Sequence, residues 1–587
     1  MAAFATQDMG GIIPRRESFL LPPNMAEDAY NCDLASGPLD GLPQPLFVID
    51  LAGTASFTVM KAYRFPGPTA TDPEIWIPLP SPYSSVVRSP LANDTLHRIY
   101  WSNPPDGPDP GVFWNTYARL SADQPKYDLG FIPPDPAIIL TAVPTGGDTT
   151  VPAISRSYTF TYIDEYGLES SPANPSEVVD GPPDATWTVT GFPTAPPANP
   201  AGKLYPIISK MRLYRTITGA STGAQFYFVV DIPFGSDTYV DTIPDVNIVG
   251  NNLLESTSWI PPVDGLDGLI GMSGGMLMGF TGNTVHFCEP NRPHAWPAGY
   301  DQSLQYQVVA LAVWQQQLVV LTHGFPSTGS GSSPAQFFFA QVQAPEPCIS
   351  RGSVITDLAG VYYASENGLV ALNYYGMQNQ SLSNFTKNIW LKDYHAEDII
   401  ACRHRAQYLA INATGLGFLI DYTEERMGVM KISPVVDVVG VWNDVFTGDA
   451  YIIADQKVYL WDSPDTPSQT FFWKSKEFYL PAPTNLGCCQ ISLDPSVSAP
   501  APLKMGGPVL RDGIDLGLPD GVNAMFQLYA GPGDALNLVF TRYLTQPLEI
   551  FRLPSGLKSF NWQFAITSRV PVHSVQLATT MKELKQT

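Results

Sequence analysis

Basic clusters, patterned cysteines, long apolar runs and helical periodicity are all scarce in this 587-residue chain, and each scarcity removes a class of function. Lys and Arg number 32 against 54 Asp and Glu, a formal charge of −22, and positive charge gathers nowhere beyond Arg15-Arg16 and the interrupted Arg403-His404-Arg405. A protein that grips nucleic acid or an anionic membrane presents a basic stripe, so neither is supported as a tightly held partner. No run reaches the roughly 18 apolar residues of a membrane span, and no stable membrane insertion is expected. Residues 1–11 lack the basic and apolar blocks of a signal peptide, so the chain is expected to be made and folded in a cytosol. The six cysteines (Cys32, Cys288, Cys348, Cys402, Cys488, Cys489) form no C-x-x-C pair. That spacing speaks against zinc fingers and a disulfide framework, and they read as buried free thiols.

Motifs that carry chemistry are missing too. There is no G-x-S-x-G elbow, no Walker loop and no G-x-G-x-x-G opening a helix. The glycines between Gly271 and Gly282 fall within a hairpin and read as turn and packing positions. His395-Ala396-Glu397-Asp398 lacks the second His of H-E-x-x-H and reads as a surface turn entering a strand. Glu424-Glu425 are adjacent, so on a strand their carboxylates point apart and cannot share a glycosidic bond. Trp461-Asp462 is a single WD pair. No catalytic, cofactor-binding or metal-ligating residue is assigned, and the chain is expected not to be an enzyme.

What is present is unusual in combination: 57 Pro and 48 Gly beside 12% aromatic residues, with 15% charged. Disordered chains share the Pro and Gly but not the aromatics, so the mixture indicates folded β-structure with many turns, in several domains. From Leu266 to about Trp473 a strand followed by a hairpin recurs five times, at a spacing of roughly 42 to 47 residues. The hairpins are Met276 to Phe280 with Val285 to Phe287, Leu318 to Leu321 with Phe337 to Phe339, Val361 to Tyr363 with Leu369 to Leu372, Tyr408 to Ile411 with Phe418 to Ile420, and Ala450 to Ile453 with Val458 to Trp461. Such a period is that of β-propeller blades, whose sheets are covered on both faces and so carry runs such as LVVL.

The expected architecture is all-β and multidomain. Residues 1–45 are a Pro-rich extended arm, and 46–153 an N-terminal β (platform) region of short strands between proline turns. Residues 154–258 form an immunoglobulin- or fibronectin-like sandwich, in which Tyr158, Phe160 and Tyr162 occupy one strand face and Thr159 and Thr161 the other. Residues 259–475 form a propeller of about five or six blades, a sixth being completed by strands from elsewhere. Its second hairpin holds an insertion, Gly324 to Pro334 (GFPSTGSGSSP), expected to be a mobile exposed loop. Residues 476–587 form a C-terminal β-region (platform and tip). There a long Pro/Gly loop, Pro495 to Gly521, separates strands, and alternation at Phe560, Trp562, Phe564 and Ile566 marks one buried face.

Several stretches resemble tail nozzle proteins (tail tubular protein B) of short-tailed bacteriophages: GGIIPRRESFLLPPNMAEDAYNCDLASGPL, VVRSPLANDTLHRIYWS, YDLGFIPP, YTFTYIDEYGLESSPANPSEVV, KMRLYRT, GLIGMSGGMLMGFTGNTVHFCEPNRPHAWP, FFWKSKEFYLPAP and VHSVQLATTMKELK. They run through most of the chain in the same order. The resemblance implies a virion tail protein, assembled in the bacterial cytoplasm as a homohexameric ring beneath an adaptor ring, with tail fibres or spikes docked nearby. Such a nozzle continues the DNA channel, retains the genome and opens for ejection, so duplex DNA passes without specific binding. No gate residue carries over, and Gly324 to Pro334 and Pro495 to Gly521 are the candidate gating loops. Six copies would total on the order of −130, a wall that repels phosphate. The alternative is a glycan-binding or glycan-degrading propeller protein of a tail, which would present paired carboxylates and aromatics at the propeller mouth. Removing the N-terminal 40 residues is expected to impair assembly more than folding.

Overall fold

The computed structural model describes residues 3–34, 37–217, 225–421, 428–432, 438–494, 518–531 and 536–584. It is built almost wholly of antiparallel strands, with a few single-turn helices. Glu424-Glu425 and most of Pro495 to Gly521 lie outside the described residues.

The repeat forms a propeller. Four-stranded sheets follow one another at Asp267–Ser303, Val308–Gln341 and Ile355–Asn379, and four more strands at Ile400–Ile432 begin a ten-stranded sheet. Their first strands stand side by side around a common axis, 267–272 against 308–314, then 355–356, then 400–404, then 438–443. The middle strands are covered on both faces, as in Gly360–Ser365 and Ala450–Ala454, because each sheet lies between two others. Tight turns at Gln315-Gln316 and Asp455-Gln456 place both residues at positive φ, which matches the right-handed twist of the strands they join.

The ring is closed by residues assigned from the sequence to a separate platform, and this is the main correction to the expected domain plan. Leu46–Asp50 pairs antiparallel with Lys457–Leu460 and becomes the outer strand of the fifth repeat. Lys61–Phe65 and Ile75–Leu79 form a two-stranded sheet that packs on that repeat through Val59, Ala62, Trp442 and Ile453. Its other face meets the sheet Ser85–Asp128 through Tyr63, Phe65, Trp101 and Phe113. That sheet in turn packs on the first repeat through Tyr100, Trp114, Leu269 and Leu277. Among the described residues the ring therefore has seven sheets, five from the repeat and two from residues 61–128. Sequence periodicity misses the last two because the repeat unit is interrupted by the sandwich and because one of them has only two strands.

The sandwich is an insertion between Tyr127–Asp128 and Asp267–Met272 of the ring. Thr141–Thr145, Thr186–Thr190 and Thr238–Asp241 form one sheet, Tyr158–Asp164, Ile208–Thr216 and Phe226–Pro233 another, and Ile154–Arg156 pairs with Val179–Gly181. Its core takes in Phe131, Leu140 and Ala142, so the unit starts before residue 154. Both faces of Tyr158–Asp164 are buried. The threonine face is roofed by residues 169–176, with Thr159 Oγ1 donating to the Ala173 carbonyl and Thr161 Oγ1 to Glu169.

The chain termini are interwoven. Ala3–Thr6 pairs with Val572–Ala578, which pairs with Cys488–Leu493 and then Leu548–Arg552. Ala26–Tyr30 lies between Val429–Ile432 of the fourth repeat and Phe471–Ser475, and the same sheet runs on through Ser559–Ser568, Ala524–Gly531 and Asn537–Leu544. One core extends beneath it from Trp390 and Phe418 to Trp562 and Leu577. Residues 3–34 are thus structural strands rather than an extended arm. Ser559–Ser568 is covered on both faces: Trp562, Phe564 and Ile566 fill the core, and Gln563 on the opposite side donates to the Ser475 carbonyl and to Glu27.

The insertion Gly324 to Pro334 is not a free loop. Ser327–Ser330 is the third strand of its sheet, between Gln317–Thr322 and Phe338–Gln341. Its small residues are required by packing, since a Cβ on Gly329 would sit 2.5 Å from the Phe337 ring and 2.6 Å from that of Phe339.

Candidate functional site

The first strands of the seven sheets surround an axial cavity of about 660 Å³, room for about twenty waters. Its wall is mostly backbone and small apolar side chains, because inner strands cross close to the axis. Charge enters at the end where these strands begin. Arg351 Nη2 donates to Asp267 Oδ1 at 2.7 Å and to the Tyr83 carbonyl at 3.1 Å, and Nη1 contacts Asp267 Oδ2, a two-pronged pairing that fixes the guanidinium across three sheets. Lys61 Nζ donates to the Ser84 carbonyl at 2.8 Å. Burial lowers the Lys61 ammonium to about 8, and the field of Arg351 adds to the shift.

The opposite end opens into a mouth of about 510 Å³. Asp357 and Asp444 stand there, but each is engaged: Asp357 accepts from Arg403 Nη1 at 3.1 Å, and Asp444 from Arg64 Nη1 at 3.4 Å and from the Phe446 backbone N–H at 2.6 Å. Trp314 meets the exposed Tyr374 edge to face at 4.9 Å and donates to the Leu358 carbonyl. Leu358 and Val445 project into solvent.

The sandwich carries a second polar centre, internal to its core. Asp241, fully buried, accepts from Arg215 Nη1 and Tyr158 Oη, both at 2.8 Å, while Arg156 and Arg215 also reach Asp245 at 2.7 and 3.0 Å. Two buried guanidiniums on two carboxylates balance in charge, and the cluster is a structural lock. His294 joins the sandwich to the ring: its Nε2–H donates to the Glu169 carbonyl at 3.0 Å, its ring packs on Trp259 and Phe131, and burial lowers it to about 4.

The residues weighed from the sequence fall where no chemistry converges. His395 enters a single 3₁₀ turn, Ala396–Asp398, ahead of Ile400–His404. All six cysteines are buried and unpaired, and burial pushes the Cys288 and Cys348 thiols up to about 12, against thiolate formation. Cys488 and Cys489 sit on one strand, in different cores. Ser327–Ser330 lies toward the outside of its sheet, away from the axis. Sequence reasoning missed Lys61, Asp267 and Arg351, which lie far apart in the chain, Asp267 and Arg351 by 84 residues, and meet only when the ring closes.

No protein-family model matches the chain, and no curated protein matches it. Among solved structures, it is similar to BBS1N in the crystal structure of its complex with ARL6DN, at 10% identity and a TM-score of 0.27, covering 73% of this chain and 99% of that one. It is similar also to the Neurospora crassa Pan2 WD40 domain (10% identity, TM-score 0.25, 56% of this chain and 96% of that one). A third is YCF48 bound to D1 peptide (9% identity, TM-score 0.25, 58% and 100%). The propeller assignment rests on this chain's own strand order and register.

Proposed function

We propose that this chain is a structural subunit of a bacteriophage tail nozzle, assembled side by side as a homohexameric ring beneath an adaptor and enclosing the DNA channel between subunits. The observation that carries the proposal is the pair of strands at the platform margins that have no further neighbour among the described residues. Asn537–Leu544 ends one sheet and Leu548–Arg552 ends the other, and they expose Leu538, Tyr543, Leu548 and Ile550, each at least half accessible. Long apolar edges on a lone chain invite pairing, and an assembling subunit uses them. The order of resembling segments along the sequence supports the same reading. An axial cavity of about 660 Å³ has no space for a duplex whose major groove alone is about 12 Å wide, so a channel for DNA belongs between copies. A formal charge of −22 per copy favours passage of DNA without adhesion.

Negative-stain imaging and light scattering of the purified chain, alone and with its adaptor, test this. Rings or stacked tubes are expected, lost when Leu538 and Ile550 are replaced by Lys. A chain that stays monomeric with its adaptor would sink the proposal. A second reading, glycan binding at the propeller mouth, is favoured by the Trp314–Tyr374 pair beside Asp357. Retention on capsular polysaccharide, abolished by Trp314→Ala, supports it.

A further inference from the structure

A cleft of about 420 Å³ opens at the outer rim of the ring, between the last strands of the first two sheets, Gln302–Ser303 and Phe338–Gln341. It shares no lining residue with the axial cavity or its mouth, and its volume lies within the roughly 300–1,000 Å³ usual for ligand sites. One wall is aromatic and held in place in advance. Tyr306 and Phe325 stack at 5.9 Å and 29°, and Phe338, 63% exposed, flanks them from the edge strand. A Cβ on Gly324 would meet the Tyr306 ring at 2.6 Å, so that ring rests on the backbone. Thr322 Oγ1 accepts from the Gly324 N–H at 3.1 Å and donates to the Phe325 carbonyl at 2.9 Å, which fixes the turn that carries Phe325.

The polar groups of the cleft are uncommitted. Gln302 Nε2 spans it to the Phe337 carbonyl at 2.9 Å, but among the described residues the side chains of Gln305, Gln341 and Ser327 have no hydrogen-bond partner. Ser327 is only 7% exposed, and it lies opposite Gln341 on the sheet face that floors the cleft. A buried hydroxyl is normally hydrogen-bonded, so this one calls for a partner from outside the chain. None of the lining residues is Asp, Glu, Lys, Arg or His, on a chain with 54 acidic residues. A charged ligand would find no counter-ion there, and a purely apolar one would strip water from the glutamine amides without replacing it. Amides and hydroxyls donate and accept at once, as sugar hydroxyls do, and the negative face of an aromatic ring attracts the polarised C–H groups of a pyranose.

We propose that this rim cleft is a binding site for a neutral saccharide, with a pyranose ring against the Tyr306–Phe325 pair and its hydroxyls held by Gln305, Gln341 and Ser327. The site lies away from the propeller mouth and concerns a single chain, so it rests on neither reading given above.

The test offers the full-length protein neutral hexasaccharides of α- and β-linked glucose, of galactose and of mannose, by calorimetry and saturation-transfer NMR. One-site binding of at least one of them is expected, equal at low and high salt because no charge takes part. Gln305→Ala and Gln341→Ala remove no intramolecular hydrogen bond and are expected to weaken it about three- to tenfold each, and Tyr306→Ala about tenfold. Tyr479→Ala, which removes an exposed aromatic of the platform, is expected to leave it unchanged. No binding of any of these saccharides overturns the proposal, as does a decaproline peptide that binds where they do not. Equal affinity in the rim variants overturns it too, and loss in Trp314→Ala instead then assigns the sugar to the mouth. If Tyr306→Ala does not fold, the two glutamine variants decide alone.

Discussion

Deleting residues 1–34 is expected to unfold the C-terminal half of the chain rather than merely to remove an assembly arm. The arm inserts Ala26–Tyr30 between Phe471–Ser475 and the fourth repeat, and lays Ala3–Thr6 along Val572–Ala578, four cross-strand pairs against each C-terminal partner. Its Gly10 carbonyl accepts the indole N–H of Trp473 at 2.9 Å, and Tyr30 packs on Phe472. Ordering the arm costs about 1–2 kcal/mol per residue in backbone entropy, which offsets much of its own burial. The net effect therefore comes from what the arm covers. Trp473, Phe472 and Leu577 are buried in the intact chain. Re-exposing three large apolar side chains costs about 1.5–3 kcal/mol each, about 5–9 kcal/mol together. Folded domains hold only about 5–15 kcal/mol in total.

Hydrogen exchange resolved by peptide is the appropriate assay, because the ring's far side is expected to survive. Strands Phe471–Ser475, Ser559–Ser568 and Val572–Ala578 are expected to lose protection in the truncated chain, while Val308–Trp314 and Gly360–Ser365 keep theirs. Thermal unfolding should split into two steps, with the first well below the wild-type midpoint. A truncated chain that melts in one transition within a few degrees of the full-length protein, with the C-terminal strands still protected, would refute the reasoning. It would also restore the expectation that losing the N-terminal segment impairs assembly more than folding.

Three further outcomes follow from particular contacts. Asp241→Asn leaves two buried guanidiniums short of a carboxylate and is expected to destabilise the sandwich by about 3–5 kcal/mol in chemical denaturation; a loss under about 1 kcal/mol would show the cluster to be dispensable. His294 is lowered to about 4 in the folded chain against an ordinary value of 6.5, so the unfolded state takes up the proton first. Stability is then full above pH 6.5 and falls as pH drops toward 4, by about 3 kcal/mol, and His294→Gln should flatten that slope in pH-resolved melting. Gly440→Ala places a Cβ 1.9 Å from the Met60 carbonyl at the seam where residues 60–65 meet the fifth repeat, and is expected to lower the urea midpoint by the equivalent of about 1–3 kcal/mol with unchanged slope.

The parts of the fold legible in the sequence are those whose signal is local. Four of the five hairpins can be read because an apolar run, a turn and a second run lie within twenty residues, as at Met276–Thr281 with Thr284–Phe287. The strand beginning near Leu318 pairs with Ser327–Ser330 rather than directly with Phe337 to Phe339, because a segment that reads as a linker is held as a strand by Phe337 and Phe339 packing over Gly329. Alternation at Phe560, Trp562 and Phe564 implies one wet face, yet Gln563 on the other face is buried against Glu27, more than five hundred residues away, and Asn561 against Glu477. Ring closure by Leu46–Asp50 is invisible for the same reason: its partner is Lys457–Leu460. The axial charges were out of reach too, since Lys61, Asp267 and Arg351 belong to three sheets.

The weave also determines how the molecule carries load. Val429–Ile432 belongs to the fourth propeller sheet and, through Tyr30 and Lys431, to the platform sheet, so the two units share a hydrogen-bonded surface rather than a linker. The chain leaves the platform at Tyr30 and by Leu46 is already the closing strand of the fifth repeat. Displacing the platform against the ring must therefore break the parallel pairing of Tyr30 with Lys431 and the antiparallel ladder of Leu46–Asp50 with Lys457–Leu460 at once, instead of bending a hinge. Backbone ladders flanked by a continuous core, from Trp390 to Leu577, resist shear cooperatively, since no pair can open without uncovering its neighbours. The sandwich is connected differently. It is an insertion docked by side chains and loops rather than by ladders: His294 bonds the Glu169 carbonyl, Leu204 exchanges hydrogen bonds with Asp128 at 2.7 and 2.8 Å, and Tyr166 packs on Trp114 and Tyr127. The contacts describe a rigid wedge of ring and platform with the sandwich docked on one side of it.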